Sequence, residues 1–100
     1  MKALLCKEFG PPETLSYEDI DDPVSRPGKV SVDIHSASVN FPDVLIIEDK
    51  YQFKPALPFS PGGEASGVIS EIGEGVEDFD VGDRVIVSSG WGCFVEKILV

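Results

Sequence analysis

The sequence is poor in the side chains that bind metals. Its two cysteines, Cys6 and Cys93, lie far apart and outside any C-x-x-C pair, and its only histidine is His35. A protein zinc site needs several cysteine, histidine or carboxylate ligands at close spacing, so this set predicts no metal site. Both thiols are expected to be reduced, as is usual in the cytoplasm.

Long apolar segments are also missing. The N-terminal stretch MKALLCKEFGPP has no apolar core of the length that a signal peptide needs, and no stretch could span a bilayer. These absences predict a cytoplasmic protein that does not associate with membranes.

Basic residues are few, because eight lysines and arginines stand against 18 aspartates and glutamates, a net charge of −10. An acidic surface repels phosphate backbones and anionic lipid headgroups, so neither nucleic acid nor a membrane surface is an expected partner. The acids are scattered through predicted loops and strand exteriors, a distribution typical of a soluble, solvated surface.

The remaining composition is that of one globular domain: 100 residues, 42% hydrophobic and 26% charged. Proline and glycine divide the chain into short apolar segments, which indicates strands rather than helices. One short helix is predicted after Pro42, because proline suits the first helical turn. The sequence therefore predicts a mainly β fold, a partly open β-barrel, with strands over 3–9, 15–20, 30–39, 64–73, 84–89 and 94–100.

Two of these strands carry informative patterns. In 30–39, Val30, Val32 and Ile34 share one face with later serines, whereas Ser31 and His35 fall on the opposite, polar face. His35 is therefore expected to be solvated. A glycine inside the strand 64–73, Gly67, predicts a bulge or a close backbone approach.

Several polar residues are candidates for a functional site. Glu64, between Gly63 and the strand, could be a base, a residue that orients another group, or a turn residue. Asn40 could position a ribose or a carbonyl, or cap the short helix, and Asp43 suits a cap. Tyr51, in the proline-rich loop, could line a cleft or cover the core.

A dinucleotide-binding glycine motif is absent. Gly73-Glu74-Gly75 begins like G-x-G-x-x-G, but no third glycine follows in place and no helix pattern opens there. Glu77 and Asp78 would also repel a pyrophosphate, so a turn is the better interpretation.

Three motifs resemble the medium-chain dehydrogenase/reductase superfamily. The first is PGGEASGVISEIGEGV…GDRV in residues 61–85, the second is VNFPDVLIIEDKY in residues 39–51, and the third is the opening MKALLCKEFGPPETL. The second motif resembles the quinone oxidoreductase branch, and the match covers essentially the whole chain.

This resemblance implies a two-domain enzyme that reduces a small-molecule quinone or α,β-unsaturated carbonyl with NADPH. Residues 1–100 are expected to be its GroES-like N-terminal catalytic domain, which supplies half of the active-site cleft. A separate Rossmann domain, which would bind most of the NADPH, is absent from this chain. We therefore expect an excised domain or fragment that is inactive alone.

The departures from the family pattern concern zinc. Zinc-dependent members carry a cysteine where this chain has Asn40 and a histidine where it has Gly63, and they carry a four-cysteine lobe that is missing here. Asparagine and glycine cannot replace thiolate and imidazole, so the resemblance implies the zinc-free branch. Hydrogen bonds and positioning must then polarise the substrate carbonyl.

Residue by residue, the resemblance implies that Asn40 and Tyr51 are catalytic groups in the cleft and that Asn40 also contacts the cofactor. Asp43 and Glu64 correspond to positions beside the metal in zinc enzymes, and without zinc they are expected to orient backbone or an arginine. Leu45 corresponds to a position that is aromatic in some quinone reductases.

Two further points complete the resemblance. Gly63 leaves room in the cleft where zinc enzymes have a larger side chain. We also expect a homodimer or other self-association, because Trp91 and the last strand would expose apolar surface beside an open sheet edge.

A non-enzymatic alternative is a GroES-like β-barrel interaction module. The fold alone does not exclude it, because one fold supports many functions. Its docking element would have to be the proline-rich loop 52–62, the nearest candidate in the sequence. A seven-membered ring in native mass measurements would favour this alternative over the dehydrogenase domain.

Overall fold

A computed structural model describes residues 1–100. It contains one α-helix, α1 (Phe41–Ile47), a 3-10 turn at Pro12–Thr14 and six strands: β1 (Lys2–Leu5), β2 (Ser16–Asp19), β3 (Val30–Ser38), β4 (Glu64–Ile72), β5 (Arg84–Ser88) and β6 (Lys97–Leu99). The prediction of a mainly β fold with one short helix is confirmed, although most strands are shorter than predicted.

The strands form two antiparallel sheets that stay open rather than closing into a full barrel. β1 pairs with β2, and the other four strands have the order β5-β4-β3-β6. A bridge between Ala3 and Val95 joins the two sheets, supported by the Leu4 N–H, which donates to the Phe94 carbonyl at 2.9 Å. β5 is therefore a free edge of the larger sheet.

The core has two parts. One lies on the four-stranded sheet, where alternate residues of β4 are buried as its pleat requires, and contains Val32, Ala65, Ile69, Val87, Cys93 and Ile98. The other lies against α1 and contains Cys6, Ile46, Ile47 and Phe59. No helix of the structure has the length and apolar character needed to cross a membrane.

Two bulges interrupt the pairing of β3 with β4. Ser31 pairs with Glu71 but Val32 pairs with Ile69, so Ser70 is an extra residue; later, Ile34 pairs with Gly67 but Ser36 with Ser66, so His35 is extra. An extra residue changes which side chains share a face.

One sequence expectation for β3 is wrong. Ser31 was assigned to the polar face of β3, but it is 1% exposed and adjacent to buried Val32. Val30, Val32 and Ile34 still share the core face, so Ser31 lies on the opposite face and is buried there rather than solvated. His35 is exposed, as predicted.

Gly67 confirms the predicted close backbone approach. A Cβ atom at this position would lie 2.1 Å from the Asp33 carbonyl oxygen and 2.9 Å from Val32 Cγ1. The two strands therefore come together here at a distance that only glycine permits, directly beside the bulge at His35.

The proline-rich segment 50–62 is irregular, as predicted, but its end is fixed. Phe59 exchanges two backbone hydrogen bonds with Cys6, at 2.7 and 3.1 Å. The carbonyls of residues 60–62 accept hydrogen bonds from the N–H groups of residues 92–94. This part of the loop belongs to the fold, and it gives no support to a free docking segment.

The last strand is only partly buried. Ile98 is buried, and Val100 exchanges two backbone hydrogen bonds with Val30, at 2.7 and 2.9 Å. Leu99 and Val100 are half-buried, so the C-terminal strand exposes part of its apolar surface. The most exposed large apolar side chain is Ile86, 85% exposed on the free edge strand β5, and Trp91 is 38% exposed.

Candidate active site

The polar candidates Asn40 and Glu64 meet where β3 ends and β4 begins. Ser38 and Glu64 are paired across the two strands, and the Ser38 hydroxyl donates to Glu64 Oε2 at 3.0 Å. Asn40 Nδ2 donates to Ser38 Oγ at 2.9 Å and, more weakly, to Glu64 Oε2 at 3.4 Å. We call Ser38, Asn40 and Glu64 the polar triad.

Asp43 holds the backbone of Asn40 in place. Its carboxylate, 6% exposed, accepts the Asn40 N–H at 2.8 Å, and its own N–H donates to the Asn40 carbonyl at 3.0 Å. Asn40 is the N-cap of α1, with extended dihedral angles of −130° and 163°. Asn40 and Asp43 form a capping box that fixes the helix start, and the exposed Asn40 side chain also joins the polar triad.

Gly63 lies beside the polar triad, against the turn that follows β5. Its carbonyl accepts the Ser89 N–H at 2.9 Å, and a Cβ atom would stand 3.3 Å from the Gly90 carbonyl oxygen. The backbones of Gly63 and Gly90 are thus in close contact next to Glu64, with no side chain between them.

Three aromatic rings continue from this turn. Tyr51 and Phe53 pack edge-to-face with their centroids 5.3 Å apart, and Phe53 lies 5.9 Å from Trp91. The Phe53 ring also lies over Gly90, because a Cβ added there would be 3.1 Å from it. The aromatic group and the polar triad therefore flank the same glycine contact, with Tyr51 making no hydrogen bond within the chain.

Comparison with known proteins identifies the family of this chain. The family model "Alcohol dehydrogenase GroES-like domain" matches residues 26–98. The chain belongs to this family.

Relatives of the GroES-like domain support the resemblance to quinone oxidoreductases. The mouse (Mus musculus) protein "Quinone oxidoreductase-like protein 2" is 42% identical over 98 residues, which are 98% of this chain and 27% of that protein. The crystal structure of a probable oxidoreductase from Mycobacterium abscessus is 38% identical with a TM-score of 0.92, covering 100% of this chain and 32% of that one.

The crystal structure of Escherichia coli quinone oxidoreductase in complex with NADPH gives the same TM-score, 0.92, at 27% identity, with 100% of this chain and 31% of that chain covered. The quinone oxidoreductase branch of the medium-chain dehydrogenase/reductase superfamily is therefore confirmed as the group that this chain resembles. The GroES-like domain spans about a third of the length of these relatives.

The remaining site candidates of the GroES-like domain lie outside the polar triad. Leu45 is half-buried on α1 and takes part in none of the triad's hydrogen bonds. Tyr51 is half-buried and packs against the core beneath α1. The polar triad and Tyr51 are thus separate groups, joined through Gly63, Gly90 and the Phe53 ring.

No group of three or more histidine, cysteine, aspartate or glutamate side chains is placed to hold a metal ion. The nearest thiol, Cys93, is buried, and its Sγ lies 3.3 Å from Ser89 Oγ. Burial raises the pKa of Cys93, the charges of Asp43 and Glu64 raise it further, and the Ser89 hydrogen bond lowers it. The thiol therefore stays protonated at neutral pH, a state that does not bind metals.

Sequence reasoning missed Ser38, Phe53 and Trp91 as site residues. Ser38 was assigned to the same face as the apolar side chains of β3, because the sequence does not show the extra residue at His35. Phe53 and Trp91 are 38 positions apart in the chain and carry no motif. Only their packing on Gly90 brings them to the site.

Proposed function

We propose that the complete polypeptide is an NADPH-dependent, zinc-independent oxidoreductase that reduces quinones or α,β-unsaturated carbonyls by hydride transfer. Residues 1–100 form its GroES-like catalytic domain and supply the substrate side of the cleft, and a separate Rossmann domain holds most of the cofactor. The polar triad carries this proposal, since it fixes an amide where zinc-dependent members of the family have a thiolate.

The residues of this domain fit one end of NADPH. The amide nitrogen of Asn40 is bound by Ser38 and Glu64, and its oxygen faces the Asp43 N–H in the capping box. The second lone pair of that oxygen can accept a hydrogen bond from a carboxamide or hydroxyl group. When bound, the dihydronicotinamide ring supplies the hydride. Asn40 would position that ring, and Gly63 would leave room beside it.

The domain does not fit the phosphates of the cofactor. The Cα of Gly73 is enclosed, because an added Cβ would lie 1.9 Å from the Arg26 carbonyl oxygen, so this glycine cannot receive a phosphate. Acidic residues follow it. Phosphate binding therefore requires groups outside this chain, and we expect residues 1–100 alone not to oxidise NADPH.

The substrate carbonyl needs a hydrogen-bond donor in this proposal. Asparagine and glycine stand where a catalytic zinc would need thiolate and imidazole, so no Lewis acid is assigned to the site. The Tyr51 hydroxyl has no partner within the chain and is therefore free to donate to the carbonyl oxygen of the substrate. The edge-to-face contact with Phe53 holds its ring.

The test measures NADPH oxidation by the complete polypeptide with a quinone and with an enone. We expect Tyr51→Phe to lower kcat by about 100-fold, the usual effect of losing one donor to a developing oxyanion. Tyr17→Phe is the matched control, because Tyr17 is 70% exposed on β2. Equal activity of the two variants would contradict the role of Tyr51.

Two more measurements test the rest of the proposal. Elemental analysis should find no stoichiometric zinc, and bound zinc would contradict the zinc-independent assignment. Residues 1–100 alone should show no NADPH oxidation with either substrate, and turnover by this piece would show that the cofactor site is misplaced. A cytoplasmic location stays a prediction, which cell fractionation tests.

A further inference from the structure

We propose that Ser38 is a positioning residue that sets the orientation of the Asn40 side-chain amide; its catalytic consequence rests on the proposed function. The Ser38 hydroxyl has one proton, and it donates that proton to Glu64 Oε2 at 3.0 Å. Its oxygen then accepts the Asn40 Nδ2–H at 2.9 Å. One hydroxyl thus connects a carboxylate to an amide.

The direction of these hydrogen bonds determines which way the amide faces. An ionised carboxylate only accepts hydrogen bonds, so the Ser38 proton is committed to Glu64 and the Ser38 oxygen is left as an acceptor. If the Asn40 amide were reversed, its oxygen would face two acceptor oxygens with no proton between them. The amide nitrogen must therefore face Ser38, and the amide oxygen must face away from Ser38 and Glu64.

Ser38 is the stronger of the two partners of the amide nitrogen. Asn40 Nδ2 lies 3.4 Å from Glu64 Oε2, at the long limit for a hydrogen bond, against 2.9 Å to Ser38 Oγ. Asn40 is exposed, so no packing would hold the amide if the hydroxyl were removed. The capping box with Asp43 places the amide oxygen toward the Asp43 N–H, so Ser38 acts on the amide nitrogen at the other end of the same group.

The bulge at His35 places Ser38 in this position. Before the bulge Ile34 pairs with Gly67, and after it Ser36 pairs with Ser66 and Ser38 with Glu64. Without the extra residue, the earlier register would continue and set Ser38 opposite Gly63 and Ala37 opposite Glu64. Alanine cannot connect the carboxylate to the amide, so the polar triad depends on this irregularity of the sheet.

The experiment compares Ser38→Ala, Ser38→Thr and the control Ser36→Ala in the complete polypeptide. Ser36 is an exposed serine of the same strand that makes no side-chain hydrogen bond. The first measurement is the NMR heteronuclear NOE of the Asn40 side-chain amide without cofactor. We expect a restrained amide in the wild type, Ser36→Ala and Ser38→Thr, and a mobile amide in Ser38→Ala.

The second measurement is the steady-state kinetics with NADPH. Ser38→Ala should raise the KM for NADPH by about three- to tenfold, the effect of losing one neutral hydrogen bond, with kcat changed much less. Ser38→Thr should restore the wild-type KM, because threonine keeps the hydroxyl. Glu64→Gln is the second variant, and it should also mobilise the amide, since glutamine is not an obligatory acceptor.

The outcomes separate this proposal from the proposed function. An Asn40 amide as restrained in Ser38→Ala as in the wild type would overturn the positioning role, and so would failure of Ser38→Thr to restore the restraint. If the wild type does not oxidise NADPH, the proposed function fails, and the amide measurement alone decides the role of Ser38. A mobile amide in Ser38→Ala that is restrained in Ser38→Thr supports it in either case.

Discussion

Gly67→Ala tests the close contact between β3 and β4. The new methyl group would lie 2.1 Å from the Asp33 carbonyl oxygen, where ordinary contacts begin at 3.4 Å, so the strands must separate by about 1.3 Å. The obstacle is the backbone of β3 rather than a flexible side chain, and Gly67 itself pairs with Ile34 in the ladder between β3 and β4. Relief by a small side-chain movement is therefore not available.

We expect Gly67→Ala to lower the free energy of unfolding by about 3 kcal/mol, the upper end of the range for overpacking. For a domain of this size the melting temperature should then fall by roughly 12–24 °C, at about 4–8 °C per kcal/mol. Since typical domains are stable by only about 5–15 kcal/mol, such a loss is easily measured. The Asn40 amide should also become mobile, because Gly67 lies beside the bulge that aligns Ser38 with Glu64.

Thermal unfolding by circular dichroism is the assay, with Gly75→Ala as the control. Gly75 has a φ of +88° with nothing within 4 Å of an added Cβ, so alanine there meets only the left-handed conformational cost, about 1–2 kcal/mol. Gly67 has no such φ and tests contact alone. If both variants lost the same stability, or if Gly67→Ala lost none, the close approach of the two strands would be refuted.

Three further predictions concern the core, the thiols and the sheet edge. Ser31→Ala should raise the free energy of unfolding in urea by about 1 kcal/mol, because the buried Ser31 hydroxyl has no hydrogen-bond partner; a loss of similar size would show that it has one. Burial, the largest cause for both thiols, raises the pKa of Cys6 and Cys93 above the ordinary 9.0, so a thiol reagent at neutral pH should modify them only after unfolding. The folded chain keeps the two thiol protons at a pH where the unfolded chain has already released them. The contribution of the thiols to the free energy of unfolding is therefore constant below about pH 9 and falls as the pH rises further. An increase of the urea midpoint with pH above about 9 would contradict this. Ile86→Lys should reduce self-association in light scattering, because Ile86 is 85% exposed on the free edge strand; a wild-type chain that stays monomeric at high concentration would remove the basis for this expectation.

The sequence alone determined the fold class and most element positions. Three local signals predicted the six strands and the helix of the structure. They are the alternation of apolar and polar residues within strands, the prolines and glycines that end the strands, and Pro42 at the start of the helix. The same holds for the glycine inside β4, since a side chain that is missing from a strand predicts a close approach. The family motifs also placed Asn40 and Glu64 in one candidate site.

Tertiary structure alone decided which side chains meet. The bulge at His35 depends on how two strands pair, so the sequence pattern of β3 could not show that Ser38 faces Glu64. Burial of Ser31 on the polar face likewise depends on what covers that face. The aromatic group likewise depends on a turn that carries Trp91 to Phe53. Periodicity can be read from one segment of the chain, whereas register and packing arise only when two segments meet. The polar triad depends on the register of β3 against β4, so only the tertiary structure reveals it.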